Sequence, residues 1–131
     1  MIFQAKSRKH IPDIIELVKN INVSDFKLEE LRRYLEFFMK DKALLVLLDS
    51  EKRCFSISSV YRDLIIPYVA IMYAWSDPHY PELGNEEMQM IKDWAKSLNI
   101  SVIRTLIHKN IEGYREKYGF KIDGILMKLE I

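Results

Sequence analysis

Ile65-Ile66-Pro67-Tyr68-Val69-Ala70-Ile71-Met72-Tyr73-Ala74-Trp75 opens the stretch, residues 65–98, on which the reading of the fold turns. Its β-branched and aromatic residues suit a pleated, half-buried strand. Asp77, Pro78, Pro81, Gly84 and Asn85 then crowd into a turn that a regular element does not cross, because proline lacks an amide donor and glycine favours special backbone angles. A helix follows, with Asn85 as its expected cap, Glu86 and Glu87 at the positive end of its dipole, and Met88, Ile91, Trp94, Ala95 and Leu98 at helical spacing. A strand feeding a helix through a tight loop is a common seat for a phosphate-bearing ligand, since the first helical amides lack internal partners.

Working outward, Ile2 to Ala5 reads as a short strand, and Ile11, Ile14, Ile15 and Val18 mark one face of a helix started by Pro12. Ser24 or Asp25 caps a second helix with Leu28, Leu31, Leu35 and Phe38 as its stripe. Ala43 to Leu48 is continuously apolar, as in a strand buried on both faces; a polar turn over residues 49–52 leads to a looser strand from Cys54 to Tyr61. Downstream of the opening stretch, Ile100 to Ile107 reads as a strand, and His108, Lys109 and Asn110 form a junction. A short helix then runs to about Lys117 and is stopped by Gly119. Ile125, Met127, Leu129 and Ile131 alternate in a closing half-buried strand. Hairpins followed by helix crossovers predict an α/β (α+β) domain over residues 1–131, with a mixed, mostly antiparallel sheet of about six strands and about four flanking helices.

The 131 residues, 49% hydrophobic and 30% charged, fit one folded domain. A net charge of +1 argues against broad capture of nucleic acid, and the run Lys6, Arg8, Lys9, His10 reads as a solvated turn. No signal-peptide stretch or membrane-length apolar run is seen, and the lone Cys54 reads as a buried thiol in a reducing, cytoplasmic setting. His10, His79 and His108 show no metal-ligand spacing, so no metal site is expected.

Two motifs and the element order resemble the GNAT superfamily of acyl-CoA N-acyltransferases. Ile11-Pro12-Asp13-Ile14-Ile15-Glu16-Leu17 is similar to that family's first helix, and Tyr114-Arg115-Glu116-Lys117-Tyr118-Gly119-Phe120 to its closing Glu-Lys-x-Gly-Phe signature. The resemblance covers nearly the whole chain. It implies an acyl-CoA lying between the fourth and fifth strands, its pyrophosphate on the amides before the third helix, and an acetyl group passed to an amine. Carried onto this sequence, it implies cofactor contacts from the strand amides of Ala74, Trp75 and Ser76, from His79, Gly84 and Asn85 in the loop, and from Asn110 and Tyr114 near the closing helix. Asp77, His79 or His108 would serve as base, His108 being the best placed.

The chain departs from the family pattern in its loop, His79-Tyr80-Pro81-Glu82-Leu83-Gly84, where only the last glycine survives and Glu82 replaces the middle one. His108 stands where the family often has an asparagine, and Arg115 where it has the tyrosine near the sulfur, Tyr114 being one position early. Two functions follow. One is an acetyl-CoA-dependent N-acetyltransferase acting on a small-molecule or protein amine. The other is a GNAT-fold protein without cofactor binding that serves as a binding or assembly module, by analogy with small bacteriophage products, including virion-associated ones. In that case aromatics such as Trp75, Tyr80 or Phe37 would anchor a protein partner. An exposed sheet edge could also pair two copies as a homodimer.

Overall fold

The computed structural model describes residues 1–106, 111–125 and 127–131. Its elements are β1 (Ile2–Gln4), α1 (Ile11–Val18), α2 (Asp25–Phe38), β2 (Leu44–Asp49), β3 (Cys54–Asp63), β4 (Ile66–Ser76), α3 (Pro81–Ser97), β5 (Ile103–Thr105) and α4 (Ile111–Tyr118). One sheet runs in the order β1-β2-β3-β4-β5, antiparallel except for the parallel pair β4 and β5. The connection between that parallel pair is α3, as a crossover requires. A mixed, mostly antiparallel sheet flanked by four α-helices is the expected α/β (α+β) architecture.

Alternation along the central strands divides the core in two. Leu44, Val46 and Leu48 of β2 join Phe55 and Ile57 of β3 under α1 and α2, against Ile14, Val18 and Leu35. Leu45 and Leu47 point the other way and pack with Cys54, Val69 and Ile71 under Leu83, Ile91 and Ala95 of α3. Every residue of β2 is buried, which is why its sequence shows no polar alternation. Ser24 caps α2 by accepting the Lys27 amide at 3.3 Å. Among the described residues no helix is long and apolar enough to cross a membrane.

Three expectations change. First, α3 begins at Pro81, so Gly84 and Asn85 lie inside the helix and Asn85 is not its cap. Proline fits the first helical turn, where its missing N–H costs nothing, and burial of Leu83 and Gly84 outweighs the weak helix propensity of glycine. Second, β5 has only three residues, because Ile100 belongs to the end of α3. Asn99 takes a left-handed conformation (φ 58°), its amide donates to Lys96 O at 3.0 Å, and the Ile100 amide donates to Ala95 O at 2.9 Å. That closure seats Ile100 in the core rather than in the sheet. Third, the sheet has five strands, not six: among its described residues, the stretch 122–131 forms no strand, and Ile125, Met127 and Leu129 are more than four-fifths exposed. Alternation supplies an apolar face, but a strand also needs a partner ladder.

Candidate functional site

The site is built on an irregularity in β4. The register runs Ile57 opposite Tyr73 and then Ser58 opposite Ile71, leaving Met72 as an extra residue on β4. Such a bulge reverses side-chain parity. Val69 and Ile71, before it, face the α3 core, whereas Met72, Tyr73 and Trp75 all pack on the α1 and α2 side and Ala74 returns to α3. The ladder between β4 and β5 covers only Val69–Ile71 against Ile103–Thr105. Beyond it, among the described residues, Met72 to Ser76 has no partner strand on that edge.

The open edge leads directly to the start of α3. Residues 77–80 make a short turn in which the Asp77 carboxylate accepts the His79 amide at 2.9 Å and contacts the His79 ring Nδ1 at 2.8 Å. Those bonds to His79, the backbone one first, hold Asp77 below its ordinary pKa. Asp77 thereby helps to form the turn, with its proton affinity lowered. His79 is largely exposed, aimed at its own turn. Tyr80, the residue before the helix, offers no side-chain cap and instead lies under the Arg53 guanidinium, 4.8 Å from its ring centroid. The Leu83 amide donates to Tyr80 O at 3.1 Å, and Pro81 has no amide to give, so the row of free donors at this helix start is short.

A cation from another element lies there. Lys117 of α4 donates through Nζ to Pro81 O at 3.1 Å. Tyr118 crosses the same spot: a Cβ placed on Gly84 would stand 2.5 Å from Tyr118 Oη, 3.2 Å from Lys117 Nζ and 3.6 Å from Ser76 Oγ. Gly84 therefore serves the approach of α4 to α3 and β4. Tyr114, one turn earlier on α4, is half-buried beside Tyr118 and Phe120, with ring centroids 5.6 and 6.1 Å away. Burial pushes its phenol pKa up, with the neighbouring Tyr118 and Glu87 acting in the same direction. Glu87 is buried on α3 facing Cys54, and its Oε2 has no hydrogen-bond partner. Burial pushes its carboxyl up to about 8 against a hydrogen bond with Cys54 that lowers it.

Of the expected cofactor contacts, Ala74, Trp75 and Ser76 lie on the end of β4, with Ala74 on the α3 side and Trp75 on the α1 and α2 side, while Gly84 is buried in α3 near Ser76 and Tyr114 is half-buried on α4. Asn85 points into solvent from the next turn of α3, and His79 and Asp77 hold each other. Trp75 is partly buried in the core rather than an exposed anchor, whereas Phe37 is exposed. His108 and Asn110 lie outside the described residues. Sequence reasoning missed Met72 as the bulge, Lys117 as the helix-terminal cation and Glu87 as a buried acid. The Glu-Lys-Tyr-Gly run placed Lys117 in the closing helix, but nothing in it said which carbonyl the ammonium reaches. On the opposite face, a groove of about 460 Å³ lies between α2 and the bulge, lined by Glu30, Tyr34, Phe37, Met72 and Tyr73.

No family model matches the chain, and no curated protein matches it in sequence. Solved structures do. An aminoglycoside antibiotic 6'-N-acetyltransferase from Acinetobacter baumannii superposes with a TM-score of 0.78 at 14% identity, over 100% of this chain and 97% of that one. A predicted acetyltransferase with acetyl-CoA from Clostridium acetobutylicum gives 0.78 at 17%, over 99% and 96%. Glucosamine-6-phosphate N-acetyltransferase from Arabidopsis thaliana gives 0.70 at 16%, over 99% and 98%. At these identities the likeness is one of fold, and the fold is that of the GNAT acetyltransferases.

Proposed function

We propose that this GNAT-fold chain is an N-acetyltransferase that takes acetyl-CoA and passes its acetyl group to an amine. The observation that carries the reading is the bulged β4 with an open edge from Met72 to Ser76, ending at a helix N-terminus. Acetyl-CoA supplies the activated acetyl thioester when bound. The chain's own groups suit it in part. The β4 edge offers backbone amides and carbonyls to an amide-rich pantetheine arm and a donor to a thioester carbonyl. At the diphosphate end the short row of helix amides is supplemented by the Lys117 ammonium. Tyr114, half-buried on α4 beside Tyr118 and Phe120, is the candidate to hand a proton to a departing sulfur. The groove between α2 and the bulge opens on the other face of the sheet, lined by three aromatic rings with Lys27, Arg33 and Glu30, the last paired with Arg33 at 3.7 Å.

A second reading, a GNAT-fold binding module without acetyl-CoA, draws on the same helix start: Tyr118 and Lys117 lie across it, and Glu82 adds a carboxylate to its first turn. Calorimetric titration of the folded protein with acetyl-CoA separates the two. The transferase reading expects micromolar binding, roughly −8 kcal/mol, weakened about tenfold by Lys117→Ala, followed by thiol release in a panel of amines. No heat from a folded preparation overturns it and leaves the binding module.

A further inference from the structure

We propose that the groove between α2 and the β4 bulge binds the acceptor, a short peptide with an aromatic ring beside its amine and a carboxylate at its far end, which rests on the transferase reading and names its substrate class. The bulge makes the groove. Because Met72 is the extra residue of β4, its side chain and that of Tyr73 lie on the same face of the strand, and together they floor the groove beside α2. The same two residues begin the stretch of β4 that lacks a partner strand on the β5 side. An amine resting on them is therefore next to the edge that offers a donor to the thioester carbonyl. The groove's volume of about 460 Å³ fits a small ligand, since ligand pockets hold about 300–1,000 Å³.

The lining decides the chemistry. Tyr34 and Phe38 are in contact, with ring centroids 4.9 Å apart, and Phe37 extends the cluster at 6.4 Å from Phe38. Phe37 is 79% exposed on the groove wall, and with Tyr34 and Tyr73 it offers flat faces to a further ring. The charges favour an anion. Glu30 is met by Arg33 at 3.7 Å, and Arg33 also lies 4.0 Å from Glu29. Lys27, the other cation of the lining, has no ion pair among the described residues and is left for a carboxylate. Lys27 and Phe37 stand about 15 Å apart along the α2 axis. Two extended residues span about 7 Å, and the ligand's ring at one end with the Lys27 stem at the other make up the rest. A polycationic amine meets two like charges and one carboxylate already paired, so it is the disfavoured class. The same cations favour the neutral, nucleophilic form of the bound amine. In the transfer, the amine nitrogen bonds to the acetyl carbon, the carbon–sulfur bond breaks, and the proton lost by nitrogen ends on the CoA sulfur.

The test pairs binding with turnover. Protein carrying carbon-13 methionine methyls is titrated with phenylalanylglycine, phenethylamine, diglycine and spermine, the Met72 resonance being assigned by its loss in Met72→Leu. Thiol release from acetyl-CoA is followed with the same four amines. Phenylalanylglycine should shift the Met72 methyl and give the highest kcat/KM, phenethylamine and diglycine should each be several-fold poorer, and spermine should do neither. Lys27→Ala should raise the KM for phenylalanylglycine about fivefold and leave that for phenethylamine unchanged, whereas Phe37→Ala should raise both. Turnover that favours spermine, turnover without a Met72 shift, or a KM for phenylalanylglycine that Lys27→Ala does not move overturns the proposal and leaves the transferase reading standing. A Met72 shift with no thiol release from any amine overturns the acceptor role together with the transferase reading, as does the absence of both signals.

Discussion

Replacing Gly84 by alanine pits two opposing effects against each other at one atom. In an open helix the change should stabilise the fold by up to about 1 kcal/mol, since glycine is the poorer helix former. Here the added methyl meets Tyr118 Oη at 2.5 Å and Lys117 Nζ at 3.2 Å. The lysine end can swing away, although it then leaves Pro81 O. The phenol ring is rigid and wedged between Tyr114 and Phe120, with centroids 5.6 and 6.4 Å away, so it moves only by repacking that cluster. Overpacking of this kind costs about 1–3 kcal/mol, which leaves a net loss of about 1 kcal/mol and a Tm lower by roughly 4 °C. Tyr118→Phe removes the colliding oxygen. In that background Gly84→Ala should recover the propensity gain, so the two substitutions couple by about 1–2 kcal/mol in a double-mutant cycle measured by urea unfolding. Alanine that stabilises the parent, or that destabilises both backgrounds equally, would refute the packing argument.

Two further predictions concern buried acids. Glu87 binds its proton more tightly folded than unfolded, so the protein should lose stability as pH rises from about 4.5, its ordinary value, to about 8, and level off above. Glu87→Gln should flatten that slope and raise stability at pH 8 by on the order of a few kcal/mol, read from denaturation series at pH 5, 6.5 and 8. Asp49 behaves oppositely. Burial alone would raise its pKa, but Arg53 Nε at 2.8 Å and the Met1 amino group at 2.9 Å hold it well below the ordinary carboxylate range. Its contribution is therefore complete above the ordinary carboxylate pKa and is lost as pH falls below it. Asp49→Ala removes that contribution while Arg53 keeps Glu51 at 2.8 Å, so the variant should unfold at lower temperature or denaturant than the parent at pH 7, with the gap narrowing as pH falls below the ordinary carboxylate range.

Much of the architecture was legible in the residues because it rests on local chemistry. The continuous run from Leu44 to Leu48 marks a strand covered on both faces, Ser24 stops the chain from extending past its helix start, and Gly119 takes the positive φ, 75°, that ends α4. The same periodicities, with the Ile-Pro and Gly-Phe motifs, pointed to the fold that the solved structures share. The sequence alone therefore determined the order of elements from β1 to α4 and that β2 is covered on both faces. Only the tertiary structure decided the site. The bulge at Met72 exists in the pairing of β4 with β3, and no single-strand pattern encodes it. Asp49 looked like turn chemistry and became a buried partner of Arg53; Gly84 looked like a phosphate-loop glycine and became the floor beneath Tyr118. The closing alternation from Ile125 to Ile131 predicts a strand, yet a strand forms only where another edge supplies its ladder. Each of these outcomes depends on a partner from a different part of the chain, whose position becomes known only once the elements have packed.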